Sequence, residues 1–581
     1  MMRRFFLLFI TLCLGSLAAC TQTDTPGTPL STLPPPTDMA TSVATNVATT
    51  SGTAVPTLTA TIPPPTATAS ATPLPPDVSL TSDDIFVYPV PTVYEGDRLT
   101  IQIIPTVPES IMPTAVSVHL LVNGEEAAVG TLNNRTLAGQ PVGLFQWIIT
   151  AEPGTYEIQV ILDRDGQLIS QPRTGSHNEA SVTITVQDAA ALSRREAEAT
   201  WVQAESDCCI IHVASGTAAY RDLPRLIPRI ETAVQTAADR LNEPPLRKID
   251  VYLVDRVIGQ GGYAGSAMVI SYSDRGYNGG QLDQMLIHEA THVIDRQFAP
   301  RRISFLAEGV AVWASGGHYK SENIAERAAA LPALGYYVPL AQLINNFYPV
   351  QHEIGYLQAA GFVEYLINQR GWGRFRTFYS SVTAEHSFTL ADAVDLNLQI
   401  YYDTTLEAAE ADWLAHLQNQ QPSDEAIADL QISLRYYDTM RYYQLHYDPT
   451  AHFLTAWLPF PSEVREQGNP ADLNRRPQSE TNIVLEIMFV AADAALQAGD
   501  FNRANVLLDS ITRVIDNGGA FLDPLAFSYL DIVRTIHDLG YVPQQVAIEG
   551  SRAVATVTPN GQTNLIQLNL LLRGRNWILT S

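Results

Sequence analysis

Cysteine is nearly absent: the 581 residues hold four, at Cys13, Cys20, Cys208 and Cys209. Two of the four are adjacent, so the chain has neither ordinary disulfide loops nor the paired spacing of a thiolate zinc cluster. Basic residues are also short, with 35 Lys and Arg against 60 Asp and Glu and a formal charge of −25. So acidic a surface repels phosphate backbones and anionic headgroups, which excludes nucleic-acid binding and electrostatic docking on a membrane. Past the N-terminus no apolar run is long enough to cross a bilayer. Histidine is scarce too, 12 in all, so a close pair stands out.

What is present begins with Met1-Met2-Arg3-Arg4, an apolar run over 5–14, and Leu17-Ala18-Ala19-Cys20. A short basic start followed by so brief an apolar stretch is a secretory signal rather than a membrane span. Its ending resembles the bacterial lipobox, and that resemblance implies that Cys20 is acylated and becomes the first residue. The expected location is therefore outside the cytoplasm, anchored to the outer face of the cell membrane through lipidated Cys20. Residues 21–81 are dominated by Thr, Pro, Ala and Ser, with no Lys, Arg or aromatic residue. Such a segment cannot bury enough surface to fold. It reads as a disordered stalk reaching at most roughly 190 Å at about 3.1 Å per residue, and its composition suits O-glycosylation.

From 82 to 188 the pattern becomes short alternating strands, at 99–104, 116–122, 156–161 and 181–186, with turns at Asn123-Gly124 and Asp165-Gly166. About seven such strands predict an immunoglobulin-like β-sandwich. Gly154-Thr155-Tyr156 and the alternation resemble adhesion-related modules of bacterial surface proteins; a plain spacer and a ligand binder are both open readings. A charged helix over 190–205 is expected to lead onward. Cys208 and Cys209 read as small apolar residues that open a strand over 208–213 and carry no chemistry. A helix over 223–241, a strand over 248–254, a Gly-rich turn over 259–265 and a strand over 267–272 follow.

The centre of the sequence is Leu286-Ile287-His288-Glu289-Ala290-Thr291-His292-Val293-Ile294. Its apolar residues recur at helical spacing, and residues four apart share one helix face. Both imidazoles can then reach one metal ion, with Glu289 beside a water on it. A catalytic zinc site needs a third protein ligand. A histidine six residues after the pair is ruled out, because Phe298 stands there and Asp295 replaces the halfway glycine. Glu308, sixteen residues after His292, is the next polar residue that fits. Pro300 ends the first helix, and a second apolar helix runs to Gly316-Gly317. Tightly joined helices lie antiparallel, which returns Glu308 to the histidines. A lone carboxylate among Leu306, Ala307, Val310 and Val312 is costly to bury without such a partner.

With Phe305-Leu306-Ala307-Glu308-Gly309-Val310-Ala311 and the later block Tyr356-Leu357-Gln358-Ala359-Ala360-Gly361-Phe362, residues 207–422 resemble the gluzincins, specifically a peptidase MA-like domain. The resemblance implies an α+β thermolysin-like fold, a Zn2+ cofactor held by His288, His292 and Glu308, and Glu289 as general base. It also implies Tyr356 as the donor to the developing oxyanion, with His318 and His352 as rivals. The strand over 267–272 would be the sheet edge that pairs with an extended peptide. The sequence departs from thermolysin-like members where a carboxylate one turn after the third ligand is replaced by Val312. Asp295 is then either the partner that orients a ligand histidine or a surface ion pair with Arg296 or Arg301.

Residues 424–540 read as helical, with Tyr436, Tyr437, Tyr442, Tyr443 and Tyr447 as a packed seam more than a sugar-stacking platform. A polar loop over 464–480 and helices over 481–498, 502–517 and 521–538 are expected. Strands at 546–549, 553–557, 565–572 and 577–580 predict a small antiparallel sheet over 541–581, which with the preceding helices resembles a nuclear-transport-factor-like cone. The whole is multidomain. Two functions compete: a membrane-anchored zinc peptidase acting on a peptide or protein substrate, and a metal-holding surface adhesion lipoprotein without turnover. The intact Glu289 favours the peptidase. The glycine-rich exopeptidase signature of aminopeptidase relatives is not intact, which favours an endopeptidase.

Overall fold

Strict alternation along Leu99, Ile101 and Ile103, all fully buried, sets the first layer of the N-terminal module. The computed structural model describes residues 78–580 apart from 89–91, 109, 134–140, 165–177, 319, 452–461, 463–464 and 467–472. The signal, Cys20, most of the stalk and the Asp165-Gly166 turn lie outside the described residues. The sandwich strands are β1 (Ile85–Tyr88), β2 (Thr92–Tyr94), β3 (Arg98–Ile103), β4 (Ser117–Val122), β5 (Glu125–Thr131), β6 (Gly143–Ile148), β7 (Gly154–Asp163) and β8 (Glu179–Gln187). They form two sheets, β1-β3-β6 and β2-β8-β7-β4-β5. Asn123 and Gly124 both take positive φ, 50° and 80°, as a tight hairpin turn requires. Val78 and Leu80 already belong to the core, so the folded chain starts before the expected boundary at Ser82.

The charged helix over 190–205 is not what forms. The stretch breaks into a 3-10 turn (Ala189–Ala191) and the short α1 (Arg194–Ala197), and Trp201–Glu205 is strand β9. It pairs antiparallel with β10 (Cys209–Ala214), from Ala214↔Trp201 to Ile210↔Glu205. Pairing with a buried neighbour outweighs the helix propensity of the charged residues. Cys208 and Cys209 also differ from expectation, since they are joined to each other as a disulfide.

Helix α2 (Ala218–Leu241), strands β11 (Ile249–Val254), β12 (Gly262–Ala264) and β13 (Met268–Ser271), and helices α3 (Leu282–Asp295) and α4 (Ser304–Ser315) follow. The sheet order is β12-β13-β11-β10-β9, with β10, β11 and β13 parallel. The edge is therefore β12 and not the strand over 267–272, which is internal: β13 pairs with β11 on one side and β12 on the other. The Gly-rich stretch read as a turn supplies that edge. Helices α5 (Ile324–Ala333), α6 (Leu340–Asn345), α7 (His352–Ser381), α8 (Leu390–Tyr402) and α9 (Leu406–Gln420) complete the domain.

The C-terminal part has α10 (Asp424–Tyr447), α11 (Glu480–Gln497), α12 (Phe501–Asp516) and α13 (Pro524–Asp538), then a meander of β14 (Tyr541–Glu549), β15 (Arg552–Pro559), β16 (Ile566–Arg573) and β17 (Asn576–Thr580). Tyr436, Tyr437 and Tyr443 are buried in its core with Met440 and Phe489. Those rings are packing, not a sugar platform. Arg475, in the segment before α11, ties three regions together. It pairs with buried Asp97 of the sandwich, bonds Glu196 of α1 at 3.0 Å, and lies over the Tyr94 ring at 4.9 Å.

Candidate metal centre

Helix α3 has two functional faces. Leu286, Ala290 and Ile294 are fully buried in the domain core, and residues two apart on a helix point to nearly opposite sides. His288 and His292 therefore face away from that stripe. The next helix delivers the third group. Glu308 sits on α4 among Phe305, Leu306, Val310 and Val312, all fully buried. Gly309 is what lets α4 close on α7: a Cβ there would meet the Ala359 carbonyl oxygen at 2.8 Å.

The three predicted ligand atoms converge. His288 Nε2 and His292 Nε2 are 3.1 Å apart, and Glu308 Oε2 lies 3.2 Å from the first and 3.0 Å from the second. Among the described residues this is the one His/Cys/Asp/Glu group whose ligand atoms lie close enough to hold an ion together. Ligands about 2.0 Å from a tetrahedral zinc are about 3.3 Å apart, so the triangle fits zinc with one position left open. Burial would raise the Glu308 carboxyl, but His292 and His288 hold it well below the usual range.

Glu289 is 6% exposed, and its Oε2 has no hydrogen-bond partner among the described residues. Burial, helped by Glu308 and opposed by His288 and Arg296, pushes its carboxyl up to about 7. A buried carboxylate oxygen without a protein partner suits a group that works on water or substrate.

Asp295 takes neither expected role. Its Oδ2 accepts from the Tyr379 hydroxyl at 2.6 Å and pairs with Arg302 Nε at 3.2 Å, while Arg302 donates to the His292 carbonyl at 3.1 Å. It is fully buried, so it is no surface ion pair, and His292 Nδ1 has no hydrogen-bond partner among the described residues. Asp295 instead fastens the end of α3 to α7.

Tyr356 does reach the centre: its ring lies 6.1 Å from that of His288 and stacks on His352 at 3.9 Å. Sequence reasoning missed Tyr348, whose hydroxyl donates to Glu308 Oε1 at 3.2 Å. Its signal was slight, one tyrosine in the loop before α7. The rivals His318 and His352 form a chain of their own. Buried Glu353 can only accept, so His318 Nδ1 donates to its Oε2 at 2.6 Å, and the Nε2 atoms of His318 and His352 meet at 3.2 Å. Arg327 bonds the other Glu353 oxygen at 3.0 Å. His318 faces the metal triangle, its ring 6.3 Å from that of His288.

No protein-family model matches the chain, and no curated protein matches it. Among solved structures it is similar to an M1 zinc metallopeptidase from Deinococcus radiodurans, at 12% identity over 60% of this chain and 95% of that one, with a TM-score of 0.25. An aminopeptidase N family protein from Idiomarina loihiensis matches at 11% identity over 60% of this chain and 73% of that one, TM-score 0.20. The CARDB domain of a Pyrococcus furiosus protein, solved with di-metal ions, matches at 17% identity over 19% of this chain and 89% of that one, TM-score 0.15. Likeness at these levels transfers no residue roles.

Proposed function

We propose that the chain is a zinc-dependent peptidase that hydrolyses peptide bonds with Glu289 as general base. The observation that carries this reading is the triangle of His288 Nε2, His292 Nε2 and Glu308 Oε2, closed to within 3.2 Å beside a carboxylate oxygen that lacks a partner among the described residues. Zinc in such a site polarises a carbonyl and makes water a nucleophile near neutral pH. Glu289 removes the proton from the attacking water and delivers it to the leaving nitrogen. Tyr356, whose ring lies 6.1 Å from that of His288, is the hydroxyl donor for the oxygen that gains charge, while Tyr348 holds Glu308.

An extended substrate adds to the outer side of β12, the terminal strand of the sheet among the described residues. One outward acceptor there is already used, since Arg296 donates to the Ala264 carbonyl at 3.1 Å. The N-terminal sequence supports export and tethering through acylated Cys20 as part of the same reading.

The test is zinc content and hydrolysis of an unstructured peptide mixture, for the chain and for Glu289→Gln. One zinc per chain in both, with turnover only in the unsubstituted protein, is expected. Zinc in both and turnover in neither would favour the adhesion reading, and no zinc in either would remove the metal from the function altogether.

A further inference from the structure

Beside the metal triangle lies a pocket of about 170 Å³. Tyr348 and Tyr356 form its wall toward the ligands, and Phe347 and Tyr437 add aromatic surface. Sites for whole small molecules run from about 300 Å³, so this one has room for part of a substrate, a single side chain or a short piece of main chain. Its lining does not select an ion. Arg441 brings one positive charge and Asp438 one negative, and His352 is kept neutral by burial and by the charges of His318 and Arg441.

Gln260 lines the same pocket, and the fold does not use its amide. The amide oxygen and nitrogen are both shielded from water, with no hydrogen-bond partner among the described residues. The main chain on either side of it is the opposite case. Gly259 donates to the Ala451 carbonyl at 2.8 Å, and its own carbonyl accepts from Gln444 Nε2 at 2.9 Å. Gly261 donates to the Ile258 carbonyl at 2.9 Å, closing a turn, and accepts from the Ser271 N–H at 2.7 Å. Four hydrogen bonds thus fix the root of the side chain while its tip makes none. An amide left unmade in this way lowers stability, and an apolar side chain of similar size would not. No hydrogen bond among the described residues has to break for the amide to swing into the pocket. Gln260 also stands two residues before β12, at the end of the strand along which the substrate is proposed to run. A carboxamide offers a donor and an acceptor side by side, and an uncharged amide matches both at once.

We infer that Gln260 is a specificity-determining residue of the cleft: in this pocket its Nε2 donates to a carbonyl oxygen of the peptide and its Oε1 accepts from the N–H beside it. Those groups belong either to the side chain of a Gln or Asn near the scissile bond or to the main chain of one residue passing the end of β12. The inference rests on the peptidase reading and deepens it, because the pocket then selects substrates by an uncharged amide at one fixed position and not by charge.

The test uses the zinc-loaded full chain and four quenched peptides of otherwise identical sequence. They carry Gln or the similarly shaped Met at one scanned position, with that residue's main-chain N–H kept or replaced by an ester oxygen, and the scissile bond is an amide throughout. A kcat/KM at least about tenfold higher for Gln over Met with the main chain intact identifies the side chain as the source. The same preference for amide over ester within the Met pair identifies the main chain. Gln260→Leu should bring the preferred ratio to near one, mainly through KM, while its Tm stays level or rises because an unmet polar pair has been removed. A preference that survives in Gln260→Leu, or cleavage of all four peptides at equal rates by the unsubstituted chain, overturns the role of Gln260 while leaving the peptidase intact. Should Gln260→Leu fail to fold, Gln260→Met gives the same reading with an unbranched side chain, and failure of both would make the amide structural and overturn the inference. Cleavage of none, with zinc bound, overturns the peptidase reading and this inference with it.

Discussion

Two histidine pairs stand side by side in this molecule, and their Nε2 atoms face each other at almost the same distance, 3.1 Å for His288 and His292 and 3.2 Å for His318 and His352. The carboxylate makes them different. Glu308 approaches both Nε2 atoms of the first pair, so all three groups aim their lone pairs at one point. Glu353 sits behind the second pair, on Nδ1 of His318, and is itself held by Arg327. The first arrangement asks for a cation in its centre. The second is already satisfied by protons. Proximity of imidazoles therefore says little about metal binding until the position of the acid is known.

The comparison is sharpest at the metal. His288→Ala, His292→Ala or Glu308→Ala should each lower bound zinc by roughly a hundredfold or more in affinity. His318→Ala and His352→Ala should retain about one zinc per chain by metal analysis; loss of zinc in those two would join the pairs into one site. Chelation is the next test. Removing zinc at saturating initial loading should cost about 3–4 kcal/mol of stability, as expected when a ligand is present at 100 to 1,000 times its dissociation constant. A drop in Tm on chelation should appear in the unsubstituted chain and be absent in His288→Ala.

Glu353→Gln attacks the other pair. It leaves Arg327 buried with a weaker partner, and breaking such a buried ion pair costs about 3–5 kcal/mol when one member is lost. Arg327 keeps Asp429 and Glu322 as partners, so about 3 kcal/mol is expected by denaturant unfolding, with zinc retained. Gly309→Ala, which pushes α4 from α7, should cost about 1–3 kcal/mol and loosen zinc binding through Glu308.

The smallest effect is one of pH. Burial would raise the Glu353 carboxyl, but the charges of His318 and Arg327 hold it down at about 2. A depressed carboxyl stabilises the fold above its ordinary value of 4.5 and loses that contribution as pH falls from there toward about 2. Glu353→Gln should therefore flatten the acid limb of the stability profile in that window.

The triangle itself was legible because it rests on local rules. Helical spacing put His288 and His292 on one face, and an isolated carboxylate in an apolar helix pointed to Glu308. The same local rules found the sandwich strands and the C-terminal helices to within a few residues. What failed was decided by distant partners. Residues 201–205 became a strand because β10 offered an unpaired edge, which a charged stretch does not announce. The edge of the sheet moved to Gly262–Ala264 because glycines that read as a turn pair with β13. Asp295 was drawn to Tyr379, 84 residues away, and Tyr348 gained its place from the approach of a loop to Glu308.

Arg475 has a mechanical consequence. A guanidinium buried between Asp97 and Glu196, under the ring of Tyr94, is a pin through the sandwich, the linker and the C-terminal part. The sandwich and the cleft should tumble as a single rotor, with one rotational correlation time wherever on the two a fluorophore is attached. The cleft then has no heading of its own: to turn the sandwich is to aim the metal centre.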